Sequence, residues 1–300
     1  MVLCGLGLVL VCDAVASAGT EMAVTVDDLP THGVLPRGTS RLAVATTTID
    51  ALRRHAAPSV YGFVNGGQVG GDPELETILR AWRQAGFLLG NHTFSHLDLG
   101  RVTADKYIAD IERNEPFVER FGAPEPFRYF RFPFLSAGDG TEKDGAVRRW
   151  LTARGYTVAP VTVSFEDWAW NEPYARCVAA DDEAGVARLR EMFVEAALAH
   201  LAWSNATSER LFGRRIKHVL VLHFGAFEAF ALDDMLRAYE GAGVTFVTLD
   251  AAMRDPVYRA GAEAVGRGKR TFLGQTADAA RVVLAPDPPS RIAELDRVCR

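Results

Sequence analysis

The stretch Gly86-Phe-Leu-Leu-Gly-Asn-His92-Thr-Phe-Ser-His96 joins a short apolar run to a polar segment with two histidines four residues apart. The apolar part, Phe87–Leu89, is typical of a buried strand. If the polar segment turned helically, both imidazoles would lie on one face, because positions i and i+4 are neighbours on a helix surface. Two such nitrogens can hold a divalent metal of the zinc class. Surface histidines also fall this close by chance, so the pair has to be interpreted with the rest of the chain.

Strand-like runs of this kind alternate with helical patterns along the chain. The predicted strands are Met22–Val26, Ser59–Val64, Phe87–Leu89, Phe127–Phe134, Tyr156–Val163, Val219–Leu222 and Val244–Val247. The predicted helices are Arg41–His55, Pro73–Ala85, Thr103–Phe121, Glu142–Arg154, Asp181–Trp203 and Leu232–Gly241. Strands and helices that alternate over short connections predict mostly parallel strands. We therefore expect an α/β protein with a (β/α)7-type barrel, and a doubly wound open sheet is the alternative.

Polar side chains follow successive predicted strands. They are Asp27 and Asp28, His92 and His96, Arg131, Asp167, and His223. Charges at the end of a buried strand are costly unless they are paired or bind a ligand. In parallel barrels the carboxyl ends of the strands meet at one face, which carries the chemistry. The sequence therefore predicts a single site at that face, although each residue alone could equally be part of a turn, a surface or the core.

The composition is that of a globular protein with enough apolar material for one large core. The chain has 300 residues, of which 48% are hydrophobic and 24% are charged, and these fractions are ordinary for a folded domain. The formal net charge is -5. No basic tract resembles a nucleic-acid footprint, so we expect no nucleic-acid partner.

The N-terminus has the pattern of a secretory signal peptide. Val2–Val11 is almost wholly apolar and Ala14–Ala18 offers a small-residue cleavage site, although no Lys or Arg precedes the apolar run. The run is too short for a stable membrane-spanning helix. We expect a secreted or periplasmic protein without stable membrane insertion, and a buried first strand is the alternative. In an oxidising compartment Cys177 and Cys299 could pair, although the sequence does not show that they approach each other.

Two histidines and one carboxylate make a three-ligand metal site with an open position for water, which is the pattern of catalytic zinc sites. Bound metal lowers the pKa of its water and polarises a carbonyl. A nearby carboxylate can act as the base, and a separate histidine as the acid towards the leaving group. Asp27, Asp28, His92, His96 and His223 supply these parts.

At these residues the chain resembles the polysaccharide deacetylases of carbohydrate esterase family 4, which include nodulation-type chitooligosaccharide deacetylases and peptidoglycan deacetylases. The resemblance covers about residues 22–250 in five ordered motifs. The motifs are Thr25-Val-Asp27-Asp28, His92-Thr-Phe-Ser-His96, Arg131-Phe-Pro-Phe134, Asp167-Trp168 and Val221-Leu-His223. The resemblance implies the irregular barrel of that family and an N-deacetylase that depends on a divalent metal.

The resemblance also implies the role of each residue. Asp27 would be the catalytic base and His223 the general acid, while Arg131 orients the base and Asp167 tunes the acid. The metal ligands would be Asp28, His92 and His96. These ligands suit Zn²⁺ first, and Co²⁺, Ni²⁺ or Mn²⁺ also fit.

Three further residues would contact the substrate by the same resemblance. The backbone N–H of Phe134 would help to hold the oxyanion, and Trp168 and Val221 would line the pocket for the acetyl methyl. The chain departs from the usual motifs at Leu29-Pro30, where many members have Gly-Pro, at Phe134, where Tyr is usual, and at Val221, where Leu is usual. These changes remove none of the catalytic groups. They leave the substrate undetermined, because the loops around the site set substrate choice.

The expected substrate is an N-acetylated amino-sugar polymer or oligomer, chitin-like or peptidoglycan-like, from which acetate is released. One alternative is a metal hydrolase of the same fold that acts on an O-acetyl ester or a non-sugar C–N bond. Another is an inactive barrel that binds glycan, which the complete set of catalytic groups disfavours. We predict a signal peptide at 1–18, the catalytic domain at 19–255 and a C-terminal extension packed on the barrel at 256–300.

Overall fold

The computed structural model describes residues 19–122, 128–137, 141–260 and 269–300. The predicted signal peptide at 1–18 lies outside the described residues, as does Phe127, the first residue of the predicted fourth strand. The strands are β1 (Thr20–Leu29), β2 (Tyr61–Val64), β3 (Leu88–Asn91), β4 (Arg128–Phe130), β5 (Tyr156–Val158), β6 (His218–His223) and β7 (Val244–Phe246). The helices are α1 (Arg41–Arg54), α2 (Gly66–Val69), α3 (Pro73–Gln84), α4 (Ala104–Phe121), α5 (Thr141–Ala153), α6 (Asn171–Ala179), α7 (Glu183–Phe212), α8 (Ala226–Gly241), α9 (Leu249–Met253), α10 (Pro256–Ala260), α11 (Phe272–Ala280) and α12 (Ile292–Leu295).

The seven strands form one sheet in the order β5-β4-β3-β2-β1-β6, and β7 pairs with β1 off this path. Every strand pair is parallel. After β5 the chain turns to the far side of the sheet, where Val163 forms a parallel bridge with Leu220 of β6. The sheet thereby curls back on itself, which confirms the predicted barrel and disfavours the open sheet. The barrel is irregular because this last contact is a single bridge rather than a ladder.

Strand β1 is buried at every position except Glu21, which is partly exposed, and its alternating residues face two different environments. Met22, Val24 and Val26 pack into the main core, while Ala23 belongs to a second cluster. Because successive side chains of a strand point to opposite faces, Thr25 and Asp27 share the face of Ala23. Asp27 is thus directed to the interior of the barrel, opposite the helices.

The fourth and fifth strands are shorter than predicted. Pro133 begins a 3₁₀ turn over Pro133–Leu135, since proline cannot donate to a strand ladder. Helix α7 is longer than predicted and continues to Phe212, where Gly213 ends it with φ 70°, a left-handed conformation that glycine adopts without strain. Helix α6 was not predicted.

The C-terminal residues pack on the barrel. Leu295 of α12 lies in the main core, and a disulfide joins Cys299 to Cys177 of α6 across a sequence separation of 122 residues. The boundaries of the catalytic domain and of the extension stay predictions. None of the helices in the described ranges is long and apolar enough to span a membrane.

Candidate functional site

The carboxyl ends of the strands bring the predicted residues together. Asp27 lies on the interior face of β1 and pairs in register with His223, the last residue of β6. His92 follows β3 directly, and Arg131 follows β4. All ten residues with a predicted role lie in the described ranges.

Asp28, His92 and His96 form a compact cluster of possible metal ligands. Their ligand atoms lie within 4.8 Å of one another. The Oδ1 atom of Asp28 is 3.2 Å from Nε2 of His96 and 3.5 Å from Nε2 of His92. That oxygen is buried and has no hydrogen-bond partner among the described residues. A buried carboxylate oxygen normally finds a partner, so this arrangement fits a bound divalent cation.

Both imidazoles are prepared to coordinate through Nε2. The Nδ1–H group of His92 donates to the carbonyl oxygen of Arg131 at 2.8 Å, which leaves Nε2 as the atom with the lone pair. Burial lowers the pKa of His96 to about 4, with His92 adding to the effect and the negative charge of Asp28 opposing it. A neutral imidazole is the form that binds metal.

The histidine segment is a loop, so the helical turn that would align the two imidazoles is not formed. Thr93 and His96 have φ values of 64° and 53°, in the left-handed region, and this region breaks a right-handed helix. The rings of His92 and His96 nevertheless lie 5.0 Å apart between centroids. The side-chain amide of Asn65 holds the loop, because its Nδ2 donates to the carbonyl oxygens of His92 at 2.6 Å and Thr93 at 3.0 Å.

Strained backbone is concentrated around this cluster. Six residues near the carboxyl ends of the strands have positive φ without being glycine, and they are Asp28, Thr93, His96, Phe134, Leu135 and Glu166. Each such residue costs about 1–3 kcal/mol and persists only where the surroundings enforce it. Strain of this kind is enriched at functional sites, and here it directs the adjoining side chains into one space.

Asp27 is held by a buried arginine. Nη1 of Arg131 donates to the two carboxylate oxygens of Asp27 at 3.3 and 3.4 Å. Its Nε donates to the carbonyl oxygen of Ala159 at 2.9 Å, and its Nη2 to the hydroxyl of Thr25 at 3.0 Å. Every edge of the guanidinium is therefore engaged, which fixes the direction in which it presents charge to Asp27.

His223 is paired with Asp167, which is fully buried. The carboxylate of Asp167 accepts from Nδ1–H of His223 at 2.9 Å and from its backbone N–H at 2.6 Å. Burial opposes a charge on the imidazole, but Asp167, followed by Asp28 and Asp27, raises the pKa of His223 to about 10. A bound cation would offset the two β1 carboxylates, so Asp167 is the partner that holds the proton in a metal-loaded site.

The predicted substrate residues occupy the rim and the wall of the same space. Phe134 and Trp168 are among the exposed large apolar residues, at 47% and 44%, and the Phe134 ring lies 4.4 Å from that of His96. Val221 is buried and pairs with Thr25 in register, which places it on the interior face shared with His223.

Sequence reasoning missed several residues that contact the site. They are His32, Asn65, Asn171, Glu228 and Lys269. Asn171 Nδ2 donates to both carboxylate oxygens of Glu228 at 2.9 and 2.8 Å, and the Glu228 carboxyl interacts electrostatically with Asp167 and His223. Lys269 lies 4.6 Å from the centroid of the Phe134 ring. Of these five residues, only His32 could have been found from the sequence, because it stands four residues after the predicted metal ligand Asp28.

Comparison with known proteins gives a consistent result. A family model described as polysaccharide deacetylase matches residues 15–158. The chain is 26% identical over 138 residues to a chitin deacetylase of Colletotrichum lindemuthianum, covering 44% of this chain and 51% of that protein. It is 26% identical over 148 residues to a peptidoglycan-N-acetylglucosamine deacetylase of Bacillus cereus, covering 49% and 46%. The chain thus aligns with about half the length of these curated relatives.

Solved structures resemble this one in fold. The chitin deacetylase of Colletotrichum lindemuthianum superposes with a TM-score of 0.50 at 18% identity, over 79% of this chain and 89% of that chain. A family 4 pseudoenzyme from Bacillus anthracis superposes with a TM-score of 0.52 at 14% identity, over 75% and 63%. Since one of these neighbours is described as a pseudoenzyme, the fold alone does not decide activity, which depends on the residues of the site.

Proposed function

Because the chain belongs to the polysaccharide deacetylases of carbohydrate esterase family 4, we propose that it is a metal-dependent hydrolase that removes N-acetyl groups from an amino-sugar polymer or oligomer and releases acetate. The observation that carries the proposal is one arrangement of three parts. The Asp28–His92–His96 cluster adjoins a base held by an arginine and a histidine paired with a buried carboxylate. A pseudoenzyme would be expected to lack one of these parts.

The chemistry follows from where each group stands. A divalent ion held by Asp28, His92 and His96 would lower the pKa of a water and polarise the acetamide carbonyl. Asp27, oriented by Arg131, takes the proton from the attacking water. His223, protonated through Asp167, gives a proton to the departing sugar amine, so the amine leaves neutral.

The remaining residues serve binding. The backbone N–H of Phe134 is assigned to the developing oxyanion, and Val221 and Trp168 to the wall around the acetyl methyl. Histidine and carboxylate ligands favour Zn²⁺, and Co²⁺, Ni²⁺ or Mn²⁺ remain compatible. A glycan substrate of the chitin or peptidoglycan kind lies outside the cytoplasm, so we place the protein in the secreted or periplasmic space.

The test is acetate release from N-acetylglucosamine oligomers and from peptidoglycan, with added zinc or cobalt, and with a chelator as the control. We expect release that the chelator abolishes and that re-added metal restores. Asp27→Asn should bind metal as tightly as the wild type but lose turnover, because it removes the base and no ligand. His92→Ala should lose both metal and activity.

The panel should include O-acetyl esters and small amides. Release from these compounds alone, by a metal-loaded protein, would establish the alternative hydrolase in place of the N-deacetylase. Glycan binding without release from any compound would contradict both and indicate a binding protein. Full metal retention by His92→Ala would contradict the ligand assignment.

A further inference from the structure

We infer that His32 is a positioning residue for the metal ligand Asp28, a role that rests on the proposed metal site. His32 lies outside the five motifs, four residues after Asp28. Its Nδ1–H group donates to Oδ2 of Asp28 at 2.7 Å. This contact is shorter than those of the same carboxylate with Nε2 of His96 at 3.2 Å and Nε2 of His92 at 3.5 Å. His32 therefore contacts the ligand but lies outside the ligand cluster.

The two oxygens of Asp28 are used differently. Oδ2 accepts from His32, while Oδ1 faces Nε2 of His92 and His96 and has no hydrogen-bond partner among the described residues. The bond from His32 prevents the carboxylate from rotating and reserves one oxygen for the cation. The arrangement makes Asp28 a one-oxygen ligand, since its other oxygen is already occupied.

His32 is itself fixed by the backbone around it. Its N–H group donates to the carbonyl oxygen of Phe224, the residue after His223, at 3.0 Å. Its own carbonyl oxygen accepts from Nη1 of Arg41 at 2.9 Å. The side chain is about a quarter exposed, at 23%, so it is ordered by these contacts rather than by deep burial. A residue held at both peptide groups can impose its geometry on Asp28.

The His32 ring also lies 5.0 Å from that of His223 between centroids. Loss of the ring could therefore lower activity through the general acid as well as through the metal. For this reason turnover does not isolate the proposed role. Metal affinity does, because outer contacts to a metal ligand typically contribute about 10–100-fold to affinity.

The experiment compares four variants by competition for Zn²⁺ against a chromophoric chelator. His32→Leu removes the donor. His32→Asn keeps an N–H donor near the position of Nδ1, whereas His32→Gln places its amide further out, near the position of Nε2. His55→Leu is the matched control, because His55 also bonds to carboxylates, but these are Glu240 and Asp233 of α8. His55 itself caps the C-terminal end of α1 and is not part of the ligand cluster.

We expect His32→Leu and His32→Gln to lose about 10–100-fold in zinc affinity, His32→Asn to retain most of it, and His55→Leu to match the wild type. Wild-type affinity in His32→Leu would overturn the inference, as would equal losses in the Asn and Gln variants. If His32→Leu does not fold, the difference between Asn and Gln decides. A wild type that binds no zinc would overturn the proposed metal site together with this inference, whereas a zinc-binding wild type with unaffected variants would overturn the role of His32 alone.

Discussion

Replacing Arg131 by methionine tests whether Asp27, the proposed base, is held by charge. The guanidinium is 1% exposed and lies 3.3 Å from Oδ1 of Asp27. Methionine fills much of the same volume but leaves the Asp27 carboxylate buried without its cation. We expect a large loss of stability and of turnover, with the proposed metal ligands themselves untouched.

The distance sets the magnitude. Two unit charges 3.3 Å apart attract by about 5 kcal/mol at an effective dielectric constant near 20. Removal of one partner from a buried pair typically destabilises a protein by about 3–5 kcal/mol, because the other charge stays desolvated. Asp27→Asn in the Arg131→Met background removes that orphaned charge. The double variant should therefore lose about 1–3 kcal/mol less unfolding free energy than the two single variants lose together.

The assay is urea unfolding followed by tryptophan fluorescence, with a chelator present so that metal binding does not contribute. The control is the same cycle at Arg54 and Asp233, whose Nε and Oδ1 atoms are 2.8 Å apart with the arginine 56% exposed. Exposed pairs contribute about 0–1 kcal/mol. A coupling between Arg131 and Asp27 no larger than that of the exposed pair would refute the reasoning, since the buried pair would then hold nothing in place.

Three further predictions concern the surroundings of the site. Serine at both Cys177 and Cys299 should lower the unfolding free energy by up to about 4–5 kcal/mol, because a cross-link over a separation of 122 residues restricts the unfolded chain; equal unfolding midpoints with and without the bond would contradict this. Burial, and then the charge of Asp167, raises the pKa of the Glu228 carboxyl, so the wild type loses stability as pH rises above the unfolded value of about 4.3. Glu228→Gln should therefore gain stability relative to the wild type as pH rises above that unfolded value, and a pH-independent difference in thermal unfolding would argue against it. Lys269→Ala should change stability by less than about 1 kcal/mol, because the lysine side chain is half exposed in its ion pair with Asp98. The same variant should raise KM for the glycan more than it lowers kcat, and an unchanged KM would place Lys269 outside the binding surface.

The strand ends were predictable because parallel strands obey simple rules. An apolar run followed by Asp27 and Asp28, or by His92, indicates a buried strand whose polar residues must meet a ligand or a partner at the carboxyl end. The structure brings these residues together as that rule requires. The shortened fourth strand was also readable from Pro133, although the prediction extended the strand through it.

The sequence by itself favoured a barrel over an open sheet, and the bridge between Val163 and Leu220 decided for the barrel. The sequence determined the alternation of strands and helices and the residues that stand at the strand ends, since periodicity and residue type report burial directly. The tertiary structure alone decided how those residues are aimed. The left-handed backbone at Thr93 and His96, the amide of Asn65 under the histidine loop, and the bond from His32 to Asp28 involve partners that local pattern does not connect. Those side-chain directions depend on contacts between distant segments, and such contacts exist only after the barrel has closed.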